Sequence, residues 1–178
     1  MSNHWSVICD VSPEALAPLT RWIETADNWS DVGPTKPSRI QGPALPAEIV
    51  APVIAEVMGS IVQERYRHHL LMTDGMPAAE EVAIKHSERV AIHEPMLSRM
   101  LPGQSHPYHT DVQRSDCVTR VHVPITTNPG CWMMFEDEGE RVHFETGRAY
   151  TFNTLARHAF GNDGDEPRVH LIFEVLRA

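Results

Sequence analysis

Val118-Thr119-Arg120-Val121-His122-Val123-Pro124-Ile125 is a strand in which two chemistries alternate. Side chains on a strand point to opposite faces in turn, so Thr119, Val121, Val123 and Ile125 share one face, and Val118, Arg120, His122 and Pro124 share the other. The first face is core. The second places a guanidinium and an imidazole between apolar neighbours, where burial is costly unless each finds a partner. A bound dianion would satisfy both.

The same strand-like period extends to either side. Short apolar runs stand at 82–85, 89–93 and 96–101 before this strand, and at 132–135, 141–144, 148–153 and 169–176 after it. Turn formers separate most of them: Pro102-Gly103, Asn128-Pro129-Gly130, Asp137-Glu138-Gly139, Glu145-Thr146-Gly147 and Asn162-Asp163-Gly164-Asp165. Many short strands at this spacing predict an antiparallel sandwich or jelly roll.

The first part of the chain is different. Ser12 as N-cap, Pro13 at the first helical position and Glu14 in the first turn lead into Ala15, Leu16, Leu19, Trp22 and Ile23 at helical spacing, with Pro18 awkward inside. Residues 27–46 carry Gly33, Pro34, Pro37, Gly42 and Pro43 and are expected to run over the surface as a linker. From 47 to about 71, Ile49, Val50, Val53, Ile54, Val57, Met58, Ile61 and Val62 recur at three and four, an apolar stripe able to cover a sheet. The expected organisation is one domain over 1–178, with a helical and linker part (1–80) packed on a β core (81–178) that holds the site.

Composition narrows the function classes. Hydrophobic residues are 42% and charged residues 22%, ordinary for a globular chain, and the net charge of −9 supplies no basic stripe for a nucleic-acid partner. The first residues show no cationic region followed by an apolar run, and no stretch has the length of a membrane span, so a cytoplasmic location without a membrane partner is expected. Cys9, Cys117 and Cys131 are odd in number and lack CxxC spacing, which points to reduced thiols.

Histidine is abundant, at 11 residues, and one of them opens His109-Thr110-Asp111. An imidazole and a carboxylate two apart on a strand face the same way, and a second imidazole, His158, would complete a facial set leaving coordination positions open. Taken singly, a surface pairing at His109 and Asp111 and a loop position for His158 are just as natural; the joint pattern favours a metal. Arg168, ten positions past His158, adds a planar fork that is always charged, suited to the far carboxylate of a dicarboxylic cosubstrate such as 2-oxoglutarate. Gly161 to Pro167 offers enough turn formers to reverse the chain, and a hairpin-like reversal would put His158 and Arg168 on neighbouring strands. Arg168, His170 and Ile172 then share a polar face. Trp132, Met134 and Phe135 are candidates to shape a pocket and Arg114, Arg148 and Arg157 to hold a substrate carboxylate, although core packing and solvated surface explain these residues equally simply.

Over residues 96–175 the chain resembles the aspartyl/asparaginyl β-hydroxylase family of iron(II)- and 2-oxoglutarate-dependent oxygenases. The resemblance rests on Leu101-Pro102-Gly103, His109-Thr110-Asp111, Arg120-Val121-His122-Val123-Pro124-Ile125 with Thr127-Asn128-Pro129, then Asn153, His158, Asn162 and Arg168-Val169-His170-Leu171-Ile172-Phe173-Glu174. It implies a double-stranded β-helix of the jelly-roll, cupin-like kind, iron ligands at His109, Asp111 and His158, and 2-oxoglutarate contacts at Arg168, Arg120, His122 and Ser98. The animal enzymes that name the family have glycine at the carboxylate position. This chain keeps Asp111 and so looks closer to bacterial members and to the related free-proline hydroxylases. The expected activity is a dioxygenase that uses O2 to hydroxylate an unactivated C–H bond of a small amino-acid-like or peptide substrate, releasing succinate and carbon dioxide. Its rivals are a non-catalytic metal- and 2-oxoglutarate-binding barrel and a zinc-dependent hydrolase with the same three ligands.

Overall fold

Alternating faces require covers on both sides of a sheet, and the chain supplies one of each kind. The computed structural model describes residues 4–30, 37–41, 45–72, 90–112 and 115–177. In order these form β1 (Trp5–Asp10), α1 (Pro13–Thr25), β2 (Ser38–Gln41), α2 (Ala47–Met72), β3 (Val90–Met100), β4 (Ser105–His109), β5 (Cys117–Thr126), β6 (Cys131–Phe135), β7 (Arg141–Val142), β8 (Arg148–Phe152), β9 (His158–Asn162) and β10 (Arg168–Arg177). A six-stranded sheet in the order β1-β8-β5-β10-β3-β2 faces a four-stranded sheet in the order β4-β9-β6-β7, and every pairing is antiparallel. From β3 onward the chain passes back and forth between the sheets, which is the double-stranded β-helix, or jelly roll. The run expected at 82–85 and the turn at 74–77 lie outside the described residues. No helix among the described residues is long and apolar enough to cross a membrane.

The core face of β5 behaves as its alternation requires. Val121, Val123 and Ile125 are buried with Leu97 of β3 and Val169, Leu171, Phe173 and Val175 of β10, beneath Ala15, Leu16 and Leu19 of α1 and Val50, Val53 and Val57 of α2. The helices therefore cover one side of the large sheet, leaving its other side to face the small one. Ser12 caps α1 by accepting from the Ala15 amide at 3.2 Å, and its own amide and hydroxyl donate to Glu56 of α2 at 2.8 and 2.5 Å, tying the helices together. Pro18 stays inside α1.

Several elements depart from the sequence expectation, among them β4 and β9, which fall outside the expected runs. The linker 27–46 is not all surface, because β2 lies within it and Ile40 is only 1% exposed. A four-residue edge strand flanked by prolines and glycines has too few positions to display a period, and edge strands tolerate such flanks. β1 is a second edge strand that shows no alternation. The runs expected at 89–93 and 96–101 are one strand, β3, kinked where Glu94 and Pro95 together oppose Phe173 of β10. Glu94 takes φ +45°, the left-handed conformation such a bulge needs.

Candidate metal centre

Between the sheets lies a cavity of about 310 Å³. Sheet pairing, more than sequence spacing, assembles its polar end. His109, the last residue of β4, is the register partner of His158, the first of β9, and their ring centroids are 4.4 Å apart. Asp111 follows just past β4, with its amide donating to the Thr154 carbonyl at 2.9 Å. One carboxylate oxygen is 3.5 Å from His109 Nε2 and the other 4.0 Å from His158 Nε2. One ligand atom from each of the three residues lies within 4.8 Å of the others, and among the described residues no other three His, Cys, Asp or Glu side chains gather in this way. Three atoms bound at right angles to one ion at about 2.1 Å would stand roughly 3 Å apart, so small side-chain rotations suffice.

Both imidazoles are already oriented. His109 Nδ1 lies 2.9 Å from the Pro107 carbonyl and His158 Nδ1 lies 2.9 Å from that of Ala156, the same link to the residue two back in each case. A carbonyl only accepts, so Nδ1 carries a proton in each ring and Nε2 is the nitrogen that faces Asp111. Burial is the main cause lowering the His158 pKa, and the hydrogen bond to Ala156 opposes it only in part. A neutral imidazole is the form that ligates. Two imidazoles and one carboxylate gathered on one side of an open cavity fit an iron(II) ion of the facial-triad type.

The other expected residues divide. Arg168 is 5% exposed, its guanidinium 5.2 Å from the Phe160 ring centroid, and burial pushes its pKa down to about 10, which leaves it charged at neutral pH. Among the described residues no carboxylate pairs with it, and its Nε–H lacks an acceptor. Ser98 and His122 are buried and line the same cavity, His122 with an unpartnered Nε2. Burial above all, then the charges of Arg120 and Arg168, hold His122 well below the usual imidazole range. Arg120 differs from the expectation that one dianion would satisfy it together with His122. It already donates to Asp111 Oδ2, and to Glu174 Oε1 at 2.6 and 3.2 Å, so it serves two protein carboxylates.

His158 and Arg168 share the cavity without being on neighbouring strands. β9 belongs to the small sheet and β10 to the large one, so the reversal between them crosses the sandwich and aims the two side chains at each other's sheet. Phe135 is fully buried, but Met133 of β6 lines the cavity, while Trp132 and Met134 alternate to the other side. Arg148 pairs with Glu145 and Asp10 on the surface, and Arg157 with Glu136; Arg114 lies outside the described residues. Sequence reasoning missed Arg39 of β2 and His106 of β4, both lining residues. Strand alternation alone would have put His106 and His109 on opposite faces, and the irregularity between them in β4 is what brings both to the cavity, whereas Arg39 carried no signal inside a turn-rich segment.

A jelly roll with a two-histidine, one-carboxylate cluster and a buried arginine in its cavity defines a class of metal-binding site rather than one protein. The family model described as aspartyl/asparaginyl beta-hydroxylase matches residues 75–178. The chain belongs to that family of hydroxylases, and is an enzyme. No curated protein sequence matches it. Among solved structures it is similar to the viral collagen prolyl hydroxylase of Paramecium Bursaria Chlorella virus-1 in its 2OG complex, at 14% identity and a TM-score of 0.59, over 99% of this chain and 98% of that one. It is also similar to an oxidoreductase of the 2OG-Fe(II) oxygenase family from Burkholderia pseudomallei (15%, TM-score 0.62, 94% and 80% covered) and to a Pseudomonas putida prolyl-4-hydroxylase (14%, TM-score 0.61, 99% and 94% covered). At such identities the likeness is one of fold.

Proposed function

We propose that this protein is an iron(II)- and 2-oxoglutarate-dependent dioxygenase that hydroxylates an unactivated C–H bond of an amino-acid-like substrate. The observation that carries the reading is Arg168, a buried cation that no carboxylate among the described residues pairs with, in one cavity with the His109, Asp111 and His158 cluster. A charge buried alone is costly, and the distal carboxylate of 2-oxoglutarate offsets that cost while the metal takes the other end. Family membership and a fold shared with a prolyl hydroxylase in its 2OG complex support the same cosubstrate.

His109, Asp111 and His158 would hold iron(II), which with 2-oxoglutarate and O2 supplies the oxidising chemistry and releases succinate and carbon dioxide. Pro107 and Ala156 keep each imidazole in the ligating tautomer through their carbonyls. Arg120 holds one Asp111 oxygen, a positioning task in place of the direct 2-oxoglutarate contact the resemblance implies. Arg168 and Ser98 orient the far carboxylate, and neutral His122 offers a hydrogen bond without adding charge. Met133, Phe152, Phe160 and Ile172 line the cavity with apolar surface that limits water. The domain arrangement that fits this reading is a single one over 1–178, the helices serving as the cover that leaves the inner face of the large sheet to the site.

Anaerobic titration with iron(II) and 2-oxoglutarate tests the reading through the weak visible charge-transfer band of the chelate. The band should appear at one equivalent of each, and succinate should form once air and a substrate are admitted. A band without succinate across an amino-acid and peptide panel would identify a non-catalytic binding module. A zinc-dependent hydrolase would give no band and leave Arg168 without a task.

A further inference from the structure

Among the described residues, three guanidiniums line the cavity, those of Arg39, Arg120 and Arg168, against the single carboxylate of Asp111. Arg120 is engaged by Asp111 and Glu174. On the dioxygenase reading, on which this inference rests, Arg168 takes the distal carboxylate of 2-oxoglutarate. Arg39 is then the cation left over, and among the described residues no carboxylate pairs with it.

Its placement is defined. In the register of the large sheet, Pro124 of β5, His170 of β10, Ser98 of β3 and Arg39 of β2 form one cross-strand row, so Arg39 faces the same side as Ser98 at the edge of the sheet. Its backbone is held on the outer edge as well, because its amide donates to Ser30 Oγ and its carbonyl accepts from the Ser30 amide, each at 3.0 Å. The side chain is exposed, at the open end of the cavity, where an incoming molecule arrives. Arg39 also lies outside residues 75–178, the part matched by the family. The metal cluster and Arg168 come from the part of the chain that the family model matches, whereas this charge comes from outside it.

We propose that Arg39 is the substrate-anchoring residue, and that the substrate class is anionic: an amino-acid-like molecule whose free carboxylate is held by the Arg39 guanidinium while its side chain points inward to the metal. An arginine fork on a carboxylate fixes orientation as well as affinity, and it does so from a stem rooted at a backbone tied to Ser30.

The test uses the full chain, loaded anaerobically with iron(II) and 2-oxoglutarate, and reads shifts of the charge-transfer band as free L-amino acids, their methyl esters and short peptides are titrated. In the unaltered protein a free acid should shift the band and its methyl ester should bind at least about tenfold more weakly. Arg39→Gln should raise the Kd of that acid about ten- to a hundredfold, Arg39→Lys should recover part of it, and both variants should keep the 2-oxoglutarate Kd within about twofold. The inference is overturned if no compound bearing a carboxylate shifts the band, if ester and acid bind alike, if Arg39→Gln leaves the Kd unchanged, or if it weakens 2-oxoglutarate itself about tenfold. Absence of the band in the unaltered protein overturns the dioxygenase reading, and the inference with it.

Discussion

Arg168 and Arg120 sit in the same cavity with opposite needs. Arg120 has two carboxylates, Asp111 and Glu174, whereas among the described residues no carboxylate pairs with Arg168, which lies over the face of Phe160. Changing Arg168 to Ala should therefore weaken 2-oxoglutarate binding about ten- to a hundredfold or more, the loss expected for charge-assisted hydrogen bonds, with iron(II) affinity held within about twofold. Charge-transfer titrations at fixed metal measure the first quantity and metal competition the second. Arg120→Gln should do the reverse. A ligating carboxylate without its supporting partner loses roughly ten- to a hundredfold in metal affinity, and 2-oxoglutarate affinity at saturating metal should change far less. If the cosubstrate is weakened and the metal spared, Arg120 contacts 2-oxoglutarate directly and the positioning role is wrong. The chemistry of these side chains is legible from residue type alone. Which arginine is already partnered is not, because Asp111, Arg120 and Glu174 meet only when β5 and β10 pair.

At the scale of elements, the site depends on how the turn after β5 locks onto the turn after β9. Asn162, fully buried at the end of β9, donates to the carbonyls of Met100 (3.3 Å) and Glu166 (2.8 Å) and accepts from Asn128 Nδ2 and the Gly164 amide, each at 3.2 Å. It joins β3, the β5–β6 turn and the crossing that delivers Arg168. Asn162→Ala should cost about 2–4 kcal/mol by stranding several buried partners, checked by urea unfolding. Gly130 belongs to the same lock, since a Cβ there would lie 2.3 Å from the Gly164 nitrogen and 2.6 Å from its Cα, and backbone cannot move aside cheaply. Gly130→Ala should separate the two turns, lower the melting temperature and weaken 2-oxoglutarate binding together; a variant with unchanged stability would refute the lock. Turn residues at 128–130 and 162–165 are visible in the sequence. Their mutual packing is not, as 34 positions separate Asn128 from Asn162.

At the scale of the whole molecule, the cavity imposes a pH dependence on folding. Burial, foremost, holds His122 and His170 well below the ordinary imidazole range, with the Arg168 charge acting in the same direction on both. The unfolded chain takes up protons near pH 6.5, while the native fold keeps these rings neutral. Stability from this source is therefore complete above about pH 6.5 and declines as the pH falls, with a slope approaching about 1.4 kcal/mol per pH unit for each ring. Urea unfolding of the metal-free protein between pH 7.5 and 5.5 should show the decline; a flat profile would mean that the rings are protonated in the native state. That cost, and the site it maintains, arise from a division between information held locally and information that exists only after folding. Alternation over 118–125, 132–135, 148–153 and 169–176, the helical stripe from 47 and the Ser12-Pro13 cap are local, so the sequence alone determined an antiparallel sandwich or jelly roll with helices packed outside and the residue types of a metal site. The edge strand β1 does not alternate and β2 is a four-residue strand inside a turn-rich segment, so their membership of the sheet was decided by the neighbours they pair with. The same holds for the site. The pairing of His109 with His158, the meeting of His158 and Arg168 across two sheets, and the presence of Arg39 at the cavity mouth depend on register and sheet order. Those are set by hydrogen bonds and packing between residues far apart in the chain, which no local pattern encodes.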